Sequence, residues 1–289
     1  MSLTTPWCRA VGIDVPIVNA PMGGAAGGAL AAAVSRAGGL GMVGMGSAAT
    51  PARLEAELTR LSGLGRPFGI GLVHWVIAAQ PRLFEVAIGA CPALLSVSFG
   101  ADWSWVATAH DAGLTVAAQV ATPEAACRAV DAGVDVLVAR GAEGGGHGEP
   151  RMGTLPLLAE VLDRVDVPVL AAGGIASGRG LAAVLAAGAS AAWLGTVFTT
   201  CLEALTPPPD RAGLLGAAGS ATVLTREFDL ANGYAWPSTI PERVLCDETG
   251  RPVPVNAGEG VGMVTDAPSA AELVERMCRS AAALLSRWG

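Results

Sequence analysis

Along the chain, short runs of β-branched or leucine-rich residues alternate with longer segments whose apolar positions recur at three- and four-residue spacing. The short runs fall at Pro16–Ala20, Leu40–Gly44, Phe68–Leu72, Leu94–Phe99, Leu114–Gln119, Val134–Ala139, Val167–Ala171 and Ser190–Leu194, and they predict eight strands. The segments between them predict helices at Gly28–Ala37, Pro51–Leu64, Pro81–Gly89, Trp103–Ala112, Pro123–Ala132, Leu155–Val165 and Gly178–Ala187. Several open on a cap residue (Thr50 before Pro51, Thr122 before Pro123, Ser177 before Gly178) and several close on an Ala-Gly or Gly-Gly pair. Strand–helix units in this number predict a TIM (β/α)8 barrel, which collects its chemistry where the strands end. A doubly wound open sheet is the alternative. Glycine-rich loops after the first, sixth, seventh and eighth strands favour the closed form, because a ring brings those loops together.

Past the eighth strand the pattern breaks. Leu202 to Val255 holds Pro207-Pro208-Pro209, a short apolar run at Thr222–Thr225, Trp236-Pro237 and Pro241. It reads as an irregular excursion that covers part of the barrel mouth or supports an oligomer contact. Pro268 to Trp288 then predicts an amphipathic helix, with Leu273, Val274, Met277, Ala281 and Leu284 on one face, closing the outer ring. The expected organisation is one domain: residues 1–204 as the barrel core with its site, 205–255 as the excursion, and 256–289 as the segment and helix that complete the barrel.

Composition narrows the chemistry. The 289 residues carry a formal charge of −7, and all 18 cationic residues are scattered arginines; lysine is absent. That excludes a Schiff-base mechanism and a P-loop lysine, and leaves no basic patch for nucleic acid. A bound phosphate must be held by backbone N–H groups, helix N-termini or arginine. The six cysteines are far apart with no C-x-x-C pair, and no secretory segment is recognisable near Met1. They read as reduced thiols of a cytoplasmic protein, with no metal site expected. The longest apolar run, Leu181–Gly195, is broken by Gly188 and Ser190 and falls short of the ~20 residues of a membrane span.

The predicted seventh strand ends in Ala171-Ala172-Gly173-Gly174-Ile175 and the eighth in Leu194-Gly195-Thr196. These are the loops where barrels bind phosphate, with backbone N–H groups freed by glycine. A ligand anchored there crosses the barrel mouth towards the loops after the first and sixth strands. Those loops read Ala20-Pro21-Met22-Gly23 and, from Arg140 to Met152, Arg-Gly-Ala-Glu-Gly-Gly-Gly-His-Gly-Glu-Pro-Arg-Met. Three glycines ahead of His147 suggest close approach of backbone to another group, with a ligand as the obvious candidate. Gln119, at the end of the fifth strand, reaches the same mouth. His74 and Trp75 after the third strand, and Trp103 and Trp105 after the fourth, fall on the same rim and suggest a partly apolar substrate pocket.

Several of these stretches resemble the nitronate monooxygenase (2-nitropropane dioxygenase) family: Asn19-Ala-Pro-Met22, Ala37-Gly-Gly-Leu-Gly-Met42, Pro67-Phe-Gly-Ile-Gly71, Gly141-Ala-Glu-Gly-Gly-Gly-His147, Ala171-Ala-Gly-Gly-Ile175 and Leu194-Gly-Thr-x-Phe198. Thr222-Val-Leu-Thr-Arg-x-Phe228 and Ala257-Gly-Glu-x-Val-Gly262 extend the likeness weakly. The resemblance implies an FMN-dependent TIM barrel that oxidises alkyl nitronates or nitroalkanes with O2 to a carbonyl compound and nitrite. It implies His147 as the catalytic base, an imidazole titrating near neutrality. It implies flavin contacts at Ala20, Pro21, Met22, Gly145, Gly146, Gly173, Gly174, Gly195 and Thr196, with Gln119 within reach by position. The chain departs from the family pattern twice: Gly71 stands where relatives carry Asn, and Arg140 where they carry Gln. Both positions contact FMN in relatives. Arg140 then either pairs with flavin oxygen or phosphate, or pairs with Glu143 and touches nothing else.

Two other readings remain open at this point. Similar loops occur in flavin-dependent enoyl-acyl carrier protein and quinone reductases, which use NAD(P)H. A non-redox phosphate-binding barrel is the further alternative. The partners expected are a small-molecule substrate and O2, or NAD(P)H, without nucleic acid or membrane; a homodimer is compatible with the excursion.

Overall fold

The computed structural model describes residues 3–287. The first nine strands are β1 (Ile17–Asn19), β2 (Gly41–Met45), β3 (Phe68–Val73), β4 (Leu94–Ser98), β5 (Val116–Val120), β6 (Val136–Arg140), β7 (Gly146–His147), β8 (Val169–Ala172) and β9 (Ala191–Leu194). All but β7 form one parallel sheet in the order β1-β9-β8-β6-β5-β4-β3-β2. A parallel bridge between Val18 and Leu40 joins its two ends, so the eight strands close into the expected barrel. Both faces of each strand are covered, which is why the runs read as continuous apolar stretches.

The β1–β2 seam is the thinnest part of the ring, and Asn19 strengthens it. The side chain is fully buried; its Oδ1 accepts from Met42 N at 2.8 Å and its Nδ2 donates to Met42 O at 2.9 Å. The amide thus reproduces with its side chain the two bonds that a longer β1 would have made with its backbone.

Core residues fall into two layers. Val18, Met42, Leu94, Val138, Leu170 and Trp193 fill the barrel interior, together with Trp7 and Cys8. The latter two sit on a short helix, Pro6–Val11, capped by the Thr5 hydroxyl, which the apolar pattern did not suggest. Between strands and helices lies the larger layer, with Leu30, Ile70, Leu137 and Phe198 among its members. A second unanticipated helix, His74–Ala79, follows β3 directly.

The last helix, Ala270–Leu285, buries Leu273, Val274, Met277 and Ala281 as the periodicity predicts, and opens with a capping box between Ser269 and Glu272. The Trp288 end of the sequence reading lies outside the described residues. This helix packs against Gly178–Ala186 and Gly28–Arg36. It therefore occupies the eighth place in the outer ring, which the chain reaches only after the excursion.

The excursion is more regular than its proline content suggests. It carries helices Pro208–Gly216 and Glu227–Asn232 and three strands, β10 (Thr222–Thr225), β11 (Glu242–Cys246) and β12 (Pro252–Asn256). β11 pairs antiparallel with β10 and with β12, and also with β7, placing Glu242 opposite His147 and Arg243 opposite Gly146. The histidine loop is thereby an added strand of the small sheet over the barrel mouth. Among the described residues, no helix is long and apolar enough to cross a membrane.

Candidate active site

A cavity of about 350 Å3 opens at the C-terminal ends of the barrel strands. Its wall contains Ala20, Pro21, Met22, Gly71, Gln119, Arg140, Gly145, Gly146, His147, Gly173, Gly174, Gly195 and Thr196. The loops after β1, β3, β5, β6, β8 and β9 thus meet at one place.

The two phosphate-type loops have the character an anion needs. Gly173 and Gly174 have φ of 113° and 64°, conformations that favour glycine. The backbone N–H groups of Gly173, Gly174, Gly195 and Thr196 find no acceptor among the described residues. Gathered on one wall, they form a cradle for a dianion without any cationic side chain. Gln119 lies in the same wall, its backbone N–H donating to Ser98 Oγ at 3.0 Å. Unsatisfied donors and a glycine-lined wall fit a flat, phosphate-bearing cofactor.

Gly71 is explained by a neighbour. A Cβ at that position would overlap the Pro21 ring. The space that a longer side chain would need is already filled by the loop after β1.

Arg140 lies in the cavity wall and does not make the expected pair with Glu143. It is 8% exposed, and its Nη2 donates to the carbonyls of Gly144, Gly145 and Gly146 at 2.9, 3.1 and 3.1 Å. Burial lowers its pKa to about 10, with Arg243 adding repulsion and Glu143 opposing both, so it stays cationic at neutral pH. It forms no ion pair with Glu143. That carboxylate instead accepts from Thr154 N at 3.0 Å and lies 2.9 Å from the Thr154 hydroxyl, capping helix Thr154–Leu162. Cβ atoms at Gly144 or Gly148 would press on the Arg140 guanidinium, and one at Gly145 on the Ala257–Gly258 backbone. The group that these three glycines admit is therefore the protein itself.

His147 is held on two sides. Its ring stacks on Trp236 with centroids 3.6 Å apart and planes 5° apart. Its Nε2 lies 2.9 Å from Asp229 Oδ2 and 3.1 Å from Oδ1. Burial lowers the His147 pKa, the Asp229 hydrogen bond and charge raise it, and Arg140 lowers it further. Glu242 has its carboxyl pushed up to about 7 by burial and by the charge on Asp229.

The four residues expected on the rim, His74, Trp75, Trp103 and Trp105, are not in the cavity wall. β3 runs directly into helix His74–Ala79, so His74 lies against Gly100 and 3.9 Å from Asp102, while Trp75 packs behind Trp236 with centroids 5.8 Å apart. Trp103 pairs with Trp105 at 6.4 Å. The aromatic wall comes instead from Trp236 and Phe99, which meet edge to face at 5.1 Å. Phe99 has a positive φ of 72°, a conformation costing about 1–3 kcal/mol. Asp229 and Trp236 were not anticipated as site residues; both belong to the excursion, and the Thr222–Phe228 motif just before Asp229 was the nearest signal.

The nitronate monooxygenase family model matches residues 5–86 and 78–235. A nitronate monooxygenase of Pseudomonas aeruginosa is 34% identical, over 87% of this chain and 84% of that one. Among solved structures, the nitroalkane oxidase of Streptomyces ansochromogenes superposes with a TM-score of 0.84 at 30% identity, covering 98% of this chain and 100% of the other. FabK of Thermotoga maritima superposes with a TM-score of 0.88 at 27% identity, covering 99% of this chain and 98% of the other.

Proposed function

The chain belongs to the nitronate monooxygenase family, and on that premise we propose that it is an FMN-dependent oxidoreductase converting nitroalkanes or alkyl nitronates and O2 into a carbonyl compound and nitrite. One observation carries the reading: the same cavity holds the unpartnered N–H groups of the β8 and β9 loops and the His147 imidazole. Gly173, Gly174, Gly195 and Thr196 would hold the phosphate of FMN. Ala20, Pro21, Met22, Gly145, Gly146 and Gln119 would line its ring. Arg140 would act through the loop carbonyls that it gathers, and Gly71 by admitting Pro21 to the wall. Bound FMN supplies the electron acceptor and the reaction with O2.

The protein's own contribution is to place a base, exclude water and shape the wall. His147 takes the proton from the carbon beside a nitro group, and Trp236 and Phe99 present apolar surface to the alkyl part. A preformed nitronate needs no such base. The test is the visible spectrum of the purified protein, with flavin bands near ~370 and ~450 nm, followed by nitrite release from 2-nitropropane or propionate 3-nitronate. A colourless protein that takes up no FMN would overturn the proposal.

The likeness to FabK favours one rival on the same barrel, an NAD(P)H-dependent flavin reductase of enoyl thioesters or quinones. Steady NADH oxidation with such acceptors, together with no nitrite from any nitronate, would decide for it.

A further inference from the structure

His147, Asp229 and Glu242 place one nitrogen and two carboxylate oxygens within 4.8 Å of one another. They come from β7, from helix Glu227–Asn232 and from β11. Asp229 and Glu242 are 3% and 6% exposed. Two carboxyl groups are not brought together out of water without partners that offset the cost. The arginines nearby are engaged elsewhere, Arg140 with loop carbonyls and Arg243 with Ala142 O and Glu259. The side-chain partner of Asp229 is His147 alone among the described residues.

This contact determines the state of the imidazole. A carboxylate only accepts hydrogen bonds, so Nε2 must carry a hydrogen, and the lone pair resides on Nδ1. Nδ1 has no partner among the described residues. Trp236 fixes the plane of the ring and Asp229 fixes its rotation within that plane. His147 also lies in the wall of a second cavity, of about 360 Å3, which shares Gly23, Met45, Ser47 and Asn256 with the first. It stands where the two spaces meet.

We propose that Asp229 is a positioning residue that holds His147 as an Nδ1 base and directs the site towards neutral nitroalkanes rather than preformed nitronates. This rests on the function proposed above. In the step it supports, the substrate C–H bond breaks, its electron pair moves into the nitro group to give the nitronate, and the proton passes to Nδ1. The resulting imidazolium keeps its Nε2 hydrogen on Asp229, whose negative charge stabilises it. Glu242, from β11, and Arg140, from β6, are the other titratable groups beside the ring among the described residues. The protonated form of Glu242, held up to about 7, keeps a second negative charge out of the cluster until the pH rises through that value.

The test pairs spectroscopy with kinetics. In the wild type, 15N-imidazole NMR should find His147 with hydrogen on Nε2. Asp229→Asn should allow both tautomers, because its amide can donate as well as accept. With a neutral nitroalkane, its kcat should fall about 100-fold or more, with KM little changed. Turnover of the preformed nitronate should change little. Its acid limb should move to lower pH, since both Asp229 contributions raise the histidine pKa. Asp229→Glu should recover part of the rate. An Nδ1–H tautomer in the wild type, equal losses on both substrates, or an unmoved acid limb would overturn the proposal. So would a stoichiometric metal ion on the three side chains, because it would displace the Nε2 hydrogen. The tautomer measurement needs no substrate, so it remains informative if nitroalkane oxidation itself fails.

Discussion

The His147 ring lies flat on Trp236, with centroids 3.6 Å apart and planes 5° apart, although the two residues belong to different parts of the fold. Trp236 is 6% exposed, and its indole Nε1 donates to Ser47 Oγ at 2.8 Å, so its position is set from the β2 side. Trp236→Phe would shrink the stacking surface and remove that anchor. Turnover should drop about tenfold or more through misplacement of the base. The His147 pKa should rise, because burial is the largest cause holding it down. An NMR titration of His147 checks the direction.

Arg140 collects three carbonyls of its own loop, so Arg140→Gln should loosen the histidine strand rather than restore a family contact. The loss of charge-assisted hydrogen bonds from buried carbonyls should cost about 2–4 kcal/mol, read as a lower denaturant midpoint. Gly148→Ala should act similarly, since its Cβ would press on the same guanidinium. Equal stability in both variants would remove Arg140 from this role.

Asn19→Ala tests the barrel seam. It strands Met42 N–H and C=O, each of which has Asn19 as its side-chain partner. Stability should fall by about 2–4 kcal/mol, with an unchanged denaturant slope if the barrel otherwise stays closed. Asn19→Asp should recover only the acceptor half.

Glu242 has a folded-state pKa of about 7 against an ordinary value of 4.5. The folded protein therefore holds this proton more tightly than the unfolded chain. The stabilisation is complete below about 4.5 and is lost as the pH rises through about 7. His147 has the opposite sign: its folded pKa is depressed, so its contribution is present above the unfolded value and declines as the pH falls. Subtracting the Glu242→Gln stability curve from that of the wild type isolates the Glu242 term. A flat difference between pH 4.5 and 7 would contradict the shift.

The barrel was legible because its signals are local. Each buried strand is a short apolar run, and residues such as Thr50, Thr122 and Ser177 mark helix starts through bonds to N–H groups three residues on. The glycine loops were visible for the same reason. What glycine left open was the identity of the close neighbour, and at Gly144, Gly145 and Gly148 that neighbour is protein. The Asp229–His147 contact spans 82 residues. In sequence, Asp229 directly follows the Thr222–Phe228 motif but nothing local ties it to His147, and only the pairing of β7 with β11 brings the excursion over the histidine. His74 and Trp75 lie outside the cavity wall because helix His74–Ala79 begins at once after β3, a start that no cap residue marks in the sequence.

The pairing of Gly146–His147 with Glu242–Arg243 also orders events during synthesis. A ribosome releases all eight barrel strands by Leu194 and the second of the two loops suited to an anion directly afterwards, at Gly195–Thr196. The strand that tethers the histidine emerges later, and the helix that completes the outer ring emerges last. A nascent or truncated chain ending before Glu242 would therefore contain the glycine loops of the cavity without the strand that pairs with His147. The wall of the cavity is thus encoded ahead of the strand that fixes His147 beside it.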